Sequence, residues 1–266
     1  MLQQLASEKC FSLHTKVIEL DKRIRVGAVS YLNTKPLIFG VKRSGLMDRI
    51  DLIEDYPAKI ATMLLNDEID VGLIPVAVIP QLKQHFIVTD YCIAAEGEVA
   101  SVALFSEVQM EKIDKVVLDY QSKTSVNLAK ILLKEYWKKE VVFEDAKEDF
   151  LQHIGGSTAA VVIGDRALQL ANHSKYVYDL ALAWKSFTGL PFVFAAWIAN
   201  KPLGADFEAA FNLANADGLQ HIDEVVAEEH YASYDLKKYY TENISYVLTN
   251  KKRKGLALFL KKLAQL

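Results

Sequence analysis

The short stretch SYLNTK, residues 30–35, gathers side-chain hydroxyl, amide and ammonium groups directly after the strand-like run RIRVGAV. Its polar residues are Ser30, Tyr31, Asn33, Thr34 and Lys35. No carboxylate, histidine or cysteine lies among them. These groups donate and accept hydrogen bonds, but none is an acid or base that titrates near neutral pH. The stretch therefore predicts a site that binds and orients a polar ligand.

Three further loops place polar side chains at predicted strand ends or helix starts. Ser101 opens a strand after AEGEVA, QSKTS (121–125) begins a helix, and IGDRA (163–167) joins a strand to a helix. A helix start carries free N–H groups and a partial positive charge, so it attracts anions. Thr124 and Ser125 would add hydroxyl donors there. Together the four loops predict a site for a small polar ligand, which we expect to be anionic.

Each of these positions also has a purely structural interpretation that the residue types leave open. Serine and threonine routinely cap helices, so Thr124 and Ser125 can satisfy backbone N–H groups instead of a ligand. Asp165 can cap the helix that follows it, and Arg166 can be a surface or lobe-bridging cation. The remaining alternatives are a backbone-bonded Ser101, a turn-forming Asn33, a solvated Lys35 and a core-packed Tyr31.

Alternating strands and helices would position these loops. The alternation predicts mostly parallel sheets, and the grouping of strand-like runs predicts two α/β lobes. Residues 23–106 and 196–266 would form lobe 1, residues 107–195 lobe 2, and residues 1–22 an N-terminal extension. The chain would cross between the lobes near residue 105 and again near residue 195. A ligand would then lie in the cleft between the lobes.

Charge and hydropathy patterning exclude several classes of partner. The formal net charge is −3 with both signs interspersed, which favours neither nucleic acid nor an anionic membrane surface. No stretch approaches the roughly 18 apolar residues that a membrane span needs. The N-terminal residues show no signal-peptide pattern, which predicts a cytoplasmic protein. The basic run KKRK (251–254) is interpreted as a solvated helix start, and no feature predicts the oligomeric state.

The cysteines and histidines do not predict a metal site. Cys10 and Cys92 form no metal or redox motif, and Cys92 lies in the apolar stretch DYCIAA, where we expect a small buried side chain. The six histidines show no metal-binding spacing.

Several stretches, taken in order, resemble the chorismate dehydratase family of the futalosine route to menaquinone. They are VGAVSYLNTKPLIFG, LNDEIDVGLIPVAVIP, DYCIAAEGEVASVALFS, LDYQSKTSVNLAKILL, VVIGDRAL and YDLALAWKSFTGLPFVFAAW, within about residues 23–200. The resemblance implies an α/β, two-lobed fold like that of type II periplasmic binding proteins, with the ligand cleft between the lobes. It also implies a cytoplasmic enzyme that needs no metal or organic cofactor.

The resemblance further implies a reaction and the residues that serve it. The substrate would be chorismate, which loses water to give 3-[(1-carboxyvinyl)oxy]benzoate. Asn33 and Ser101 would be catalytic, and Thr124 with Ser125 would hold a substrate carboxylate. The other expected substrate-binding residues are Ser30, Tyr31, Lys35, Gly164 and Asp165.

The nature of the base is a separate hypothesis. A sister family, the cyclic dehypoxanthinyl futalosine-converting lyase, uses a histidine base, and the four loops contain no histidine. We expect the side-chain carboxylate of the substrate to remove the proton. Since few arginines occur and at most one lies in these loops, an arginine clamp on the substrate is not expected. Two alternatives stay open: a small-anion binding protein without catalysis, and a related futalosine lyase on the same scaffold.

Overall fold

The computed structural model describes residues 23–147 and 149–266, so the predicted extension, residues 1–22, lies outside the described part. The described chain forms two five-stranded sheets with helices packed around them. The strands are β1 (Ile24–Val29), β2 (Ile50–Asp55), β3 (Val71–Pro75), β4 (Phe86–Ala95), β5 (Val102–Ser106), β6 (Lys115–Leu118), β7 (Val142–Asp145), β8 (Thr158–Ile163), β9 (Tyr176–Asp179) and β10 (Phe192–Ala199). The helices are α1 (Lys35–Arg43), α2 (Pro57–Leu65), α3 (Lys123–Ile131), α4 (Asp165–Leu170), α5 (Leu180–Thr188), α6 (Ala205–Gln220), α7 (Ile222–Glu228), α8 (Leu236–Lys238) and α9 (Asn250–Leu263).

Both sheets are mixed and share one pattern of strand order. The first sheet has the order β2-β1-β3-β10-β4, and the second has the order β7-β6-β8-β5-β9. The first three strands of each order are parallel, whereas β10 and β5 pair antiparallel with both of their neighbours. Two of the four strand pairings in each sheet are antiparallel, so the expectation of mostly parallel sheets is wrong for these pairings. The reason is that β5 and β10 each enter their sheet directly from the other one, in the reverse direction.

The chain crosses between the sheets earlier than the sequence indicated. It leaves the first sheet at Ala95 and joins the second at Val102, and it returns between Thr188 and Phe192. Strand β5, grouped with lobe 1 from the sequence, thus pairs within the second sheet, and all of β10 pairs within the first. The division of the whole chain into lobes stays a prediction, with these crossings as its proposed boundaries.

Close packing of α6 on α1 brings part of the C-terminal region onto the first sheet's helices. A Cβ atom on Gly218 would lie 1.8 Å from the Pro36 carbonyl oxygen, and one on Gly40 would lie 1.9 Å from the Ala214 carbonyl oxygen. Glycine at both positions therefore lets the two helix backbones approach. This contact supports the prediction that the C-terminal helices return to the first lobe.

The basic run 251–254 lies at the start of α9, but the interpretation of all four residues as solvated is wrong. Lys252 is fully buried, and its ammonium group donates to Ser245 O, Ser245 Oγ and Val247 O at 3.1, 2.5 and 2.6 Å. Burial lowers the pKa of Lys252. Because these acceptors replace water, Lys252 ties α9 to the segment before it.

The expected burial of the cysteine in the stretch DYCIAA is confirmed. Cys92 is buried and unbridged. No helix within the described ranges is long and apolar enough to cross a membrane. Nor does a cluster of three or more potential metal ligands occur among them.

Candidate active site

A narrow cavity lies between the two sheets, where β1, β3 and β8 end and β5 begins. Its polar wall is formed by Tyr31, Asn33, Thr34, Ser101, Ser122 and Ser125, and the rest of the wall is apolar or glycine. No charged side chain and no histidine of the described chain lines it. The cavity can therefore form hydrogen bonds but supplies no side-chain acid or base.

Hydrogen bonds between the two sides close this cavity. The Tyr31 hydroxyl donates to Gln121 Oε1, the Leu32 N–H donates to Asp165 Oδ1 at 3.2 Å, and the Ala58 N–H donates to the Gln121 carbonyl at 3.2 Å. The space for the centres of water-sized molecules is ≈ 40 Å³. One water needs about 10–15 Å³ of such space, so a ring-sized ligand requires the two sides to separate.

Asn33 lies in the cavity wall on the short 3₁₀ turn Leu32–Thr34, directly after β1. Its Oδ1 accepts from Thr34 Oγ1 at 3.1 Å, and its carbonyl accepts from the Tyr246 hydroxyl at 3.0 Å. These contacts engage both oxygen atoms of the residue. The Nδ2 amide group is therefore the part of Asn33 that can donate to a ligand.

Ser101 faces the same cavity from the start of β5 and is fully buried. Its N–H donates to the Val99 carbonyl at 2.7 Å, and its carbonyl accepts from the Gly164 N–H at 2.8 Å. The side-chain hydroxyl has no hydrogen-bond partner among the described residues. Because an unsatisfied buried hydroxyl is costly, it indicates a group in the cavity for Ser101 to bind.

The backbone before Ser101 is held in an unusual conformation by Asp179. Ala100 has a φ of +61°, which non-glycine residues seldom adopt. Asp179 Oδ2 accepts from the N–H groups of Val99 and Ala100 at 2.9 and 2.8 Å, and Oδ1 accepts from Leu182 N–H at 2.9 Å. Burial raises the pKa of Asp179 to about 6 against the effect of these hydrogen bonds. The carboxylate thus stabilises the strained turn that presents Ser101.

Replacing Asp179 by alanine is expected to release this turn. Hydrogen bonds to a charged group contribute about 1.5–3 kcal/mol, and the free energy of unfolding should fall by about that amount. Displacement of Ser101 should lower the kcat of the dehydration that the family resemblance implies, by about tenfold or more. Ala100→Gly is the control, because glycine adopts the positive φ without strain and should keep both stability and turnover. Calorimetry measures the stability, and steady-state kinetics measure kcat. An unchanged kcat in Asp179→Ala would contradict the role of Asp179 in positioning Ser101.

The residues at the start of α3 have different roles from those that the sequence predicted. Ser122 caps the helix, since its Oγ accepts from the Ser125 N–H at 3.3 Å. The Ser122 and Ser125 hydroxyl oxygens lie 3.1 Å apart, and both residues line the cavity. Thr124 is buried outside the lining, and its Oγ1 accepts from the Ala77 N–H at 3.1 Å. The structure therefore brings Ser125 to the site but gives Thr124 a bridging contact.

Gly164 and Asp165 lie at the start of α4. Gly164 lines the cavity with a φ of +65°, and a Cβ atom there would lie 2.9 Å from Cε2 of Tyr31. The capping interpretation of Asp165 is wrong, because Gly164 occupies the N-cap position. Asp165 lies outside the lining and accepts from Leu32, and its burial raises the pKa of the carboxyl group. Asp165 thus joins the two sides of the cavity.

Two residues of the first loop that were expected to bind substrate do not line the cavity. They are Ser30 and Lys35. Ser30 is exposed. The Lys35 ammonium group forms an ion pair with Glu229 Oε1 at 2.8 Å. Their role in substrate binding stays a prediction.

Arg166, from the fourth loop, is engaged away from the cavity. It donates to Asp119 Oδ2 and Oδ1 at 2.7 and 3.0 Å, and to Gln121 Oε1 at 2.8 Å. Asp119 is almost fully buried, and burial raises the pKa of its carboxyl group against the effect of Arg166. Arg166 therefore orients Gln121, the acceptor of the Tyr31 hydroxyl, across the cavity.

The C-terminal region adds two tyrosines that sequence reasoning missed. The Tyr246 hydroxyl holds the Asn33 carbonyl, and the Tyr239 hydroxyl lies beside the side chains of Ser101 and Asn33. Both residues are buried. Their stretch, YDLKKYYTENISY, has no spacing that distinguishes these tyrosines from ordinary core residues, so no sequence signal marks them.

Comparisons with known proteins extend beyond the stretches identified from the sequence. A family model described as menaquinone biosynthesis matches residues 24–265. A chorismate dehydratase of Thermus thermophilus is 27% identical over 257 residues, covering 88% of this chain and 93% of that protein. A chorismate dehydratase of Campylobacter jejuni is 30% identical over 175 residues, covering 64% of each chain.

The solved structures confirm the expected fold. A Candida albicans protein described as having the generic periplasmic binding protein fold matches with a TM-score of 0.60 at 12% identity. The match covers 92% of this chain and 90% of the Candida protein, and at this identity it establishes the fold alone. The family match spans both sheets and the C-terminal helices. This chain therefore belongs to the menaquinone biosynthesis family.

Proposed function

We propose that this protein is a chorismate dehydratase, which converts chorismate to 3-[(1-carboxyvinyl)oxy]benzoate and water in the futalosine route to menaquinone. The observation that carries the proposal is the cavity wall. It contains Asn33 and Ser101, but no described side chain in it acts as an acid or base near neutral pH. Membership of the family and the two dehydratase relatives support the choice of substrate.

The reaction suits a site without a protein base. Loss of the proton at ring C3 and of the hydroxyl at C4 makes the ring aromatic. The electron pair of the C3–H bond becomes the new ring double bond as the C4–O pair leaves with hydroxide. In the proposal, the enolpyruvyl carboxylate of chorismate takes the proton and then passes it to hydroxide to form water. No side chain changes its protonation state, and no metal or organic cofactor is needed for the balance.

Positioning and stabilisation of charge remain for the protein to supply. Holding the carboxylate close to the C3 proton can contribute about 7–11 kcal/mol to lowering the barrier. Donors preorganised toward the departing oxygen can add about 3–4 kcal/mol. Asn33 and Ser101 are assigned these tasks because both lie in the wall and Ser101 Oγ is unengaged within the described chain.

A substrate carboxylate is assigned to the start of α3. This helix begins beside the cavity, and the Ser122 and Ser125 hydroxyls lie there together. Backbone N–H groups and the helix dipole favour a negative charge at such a position. These N–H groups and the helix dipole would compensate the negative charge of chorismate, because no cationic side chain of the described residues lines the cavity.

Ser125→Ala is expected to weaken binding more than turnover. Loss of one hydrogen bond to a charged group should raise KM about tenfold, with kcat changed little. Ser174→Ala is a control, because Ser174 Oγ donates to the Leu170 carbonyl at 3.1 Å and the residue lies outside the lining. Steady-state kinetics on chorismate separate the two parameters. A fall in kcat with an unchanged KM would instead place Ser125 at the departing oxygen.

Substrate profiling tests the proposed function against its alternatives. We propose that the enzyme acts in the cytoplasm, where chorismate would be its substrate. The purified protein is offered chorismate and, separately, the cyclic futalosine substrate of the sister lyase, and each is followed by liquid chromatography. Consumption of chorismate alone is the expected result. Consumption of the futalosine compound alone would favour the related lyase, and thermal stabilisation by chorismate without consumption would favour a binding protein.

A further inference from the structure

Two buried hydroxyl groups without partners lie next to each other beside the cavity. The side-chain oxygens of Ser101 and Tyr239 have no hydrogen-bond partner of normal geometry among the described residues. Both residues are fully buried, and the Tyr239 hydroxyl lies beside the side chains of Ser101 and Asn33. Buried polar groups are nearly always satisfied. The pair therefore indicates a contact that tightens when a ligand fills the cavity.

Tyr239 is held firmly by its surroundings. It begins the π-helical turn Tyr239–Asn243, and its carbonyl accepts from the Ile244 N–H at 3.0 Å. Its ring packs edge-on against Tyr234 and tilted against Tyr240, with centroids 6.0 and 5.7 Å away. Single π-helical turns occur frequently at functional sites. The rigid ring gives the hydroxyl a fixed position next to Ser101.

We propose that Tyr239 is a positioning residue for Ser101: its hydroxyl donates to Ser101 Oγ and thereby turns the Ser101 proton toward the departing oxygen of the substrate. The inference rests on the proposed function, because it takes Ser101 to be a donor to that oxygen.

The hydrogen-bonding capacity of each group supports this direction of donation. A serine hydroxyl has one proton and two lone pairs, so accepting from Tyr239 leaves its proton for the ligand. Ser101 Oγ accepts from no described residue, so both of its lone pairs are open to the Tyr239 hydroxyl. Burial also raises the pKa of Tyr239 well above its usual value. The phenol therefore stays protonated and remains a donor at neutral pH.

The test removes only the Tyr239 hydroxyl. Tyr239→Phe keeps the ring and deletes an unsatisfied buried group, so the melting temperature should be unchanged or higher. We expect kcat on chorismate to fall about 10- to 100-fold while KM stays within about threefold. Tyr240→Phe is the matched control, since the Tyr240 hydroxyl is also buried and unpartnered within the described chain but faces the charge of Glu229 instead of Ser101 and Asn33. Its kcat should stay within about threefold of wild type.

A double-mutant cycle shows whether Tyr239 acts through Ser101. In a Ser101→Ala background, Tyr239→Phe should cause no further loss of kcat, because the group that it orients is gone. Equal losses in Tyr239→Phe and Tyr240→Phe, or additive losses with Ser101→Ala, would overturn the inference. So would a fall in kcat that tracks a lower melting temperature.

A crystal structure of the wild-type protein soaked with the dehydrated product, 3-[(1-carboxyvinyl)oxy]benzoate, separates failure of this inference from failure of the proposed function. The expected separation of the Tyr239 and Ser101 hydroxyl oxygens is about 2.6–3.0 Å. A separation beyond about 3.5 Å, or a water between them, overturns the positioning contact even if chorismate is dehydrated. With the contact present and chorismate left unchanged, the proposed function fails while the contact between the two hydroxyls stands.

Discussion

Replacing Asn33 by alanine is expected to lower kcat on chorismate by about 10²- to 10³-fold, the usual cost of removing one preorganised donor. The side-chain and backbone oxygens of Asn33 are engaged by Thr34 and Tyr246, so its amide N–H group is the part available to the substrate. Alanine removes that donor in a cavity where the described wall contains no charged group that could replace it. KM should change much less, because the interaction is strongest as hydroxide departs.

Steady-state kinetics with purified variants measure this effect. Asn66→Ala is the control, since Asn66 bonds Glu68 on the surface and lies outside the cavity lining. A kcat for Asn33→Ala within about tenfold of wild type would show that Asn33 does not stabilise the departing oxygen. A shared fall in both variants would point to folding rather than to the site.

Gly164→Ala should cause a comparable loss by keeping the two sides of the cavity apart. Gly164 has a φ of +65° and a ψ of −148°, a region essentially restricted to glycine, where another residue costs about 1–3 kcal/mol. The new Cβ would also lie 2.9 Å from Cε2 and 3.0 Å from Cδ2 of Tyr31. Because a displacement of about 1 Å can cost about 10²-fold in rate, kcat/KM should fall by about that factor or more.

A control and a rescue distinguish the clash from the backbone strain. Gly204→Ala should be nearly silent, since Gly204 has a φ of −68° and no atom within 4 Å of its added Cβ. The double variant Tyr31→Ala, Gly164→Ala should recover part of the closure of the cavity. Small-angle X-ray scattering measures this closure as compaction of the protein when chorismate is added. Full compaction and full activity in Gly164→Ala alone would contradict the proposed role of Gly164.

The residues that line the candidate site were predictable from sequence where they lie in loops that follow local patterns. The loops that carry Asn33, Ser101, Ser125 and Gly164 were identified, and the structure brings these four residues to one cavity. The pattern around α3 did not distinguish Ser122 from Thr124, because both suit a helix start. Only the fold reveals that Ser122 is the cap and that Thr124 reaches Ala77.

Residues that reach the site from a distant part of the chain were beyond sequence reasoning. Tyr239 and Tyr246 lie among several tyrosines after α7, and only tertiary packing brings them to Ser101 and Asn33. The same limit applies to the strands. Alternating elements predicted the strands, but the antiparallel placement of β5 and β10 follows from the two crossings, which local periodicity does not encode.

Incubation of the purified protein with chorismate, in the presence of a chelator and without added cofactor, tests whether the protein dehydrates chorismate. The product is followed by mass spectrometry, and its ring substitution by NMR. We expect an aromatic product lighter than chorismate by one water, with the carboxyl and enolpyruvyl ether groups in a 1,3 arrangement. Recovery of unchanged chorismate from a protein that chorismate stabilises against heat would contradict catalysis and leave a binding protein in its place.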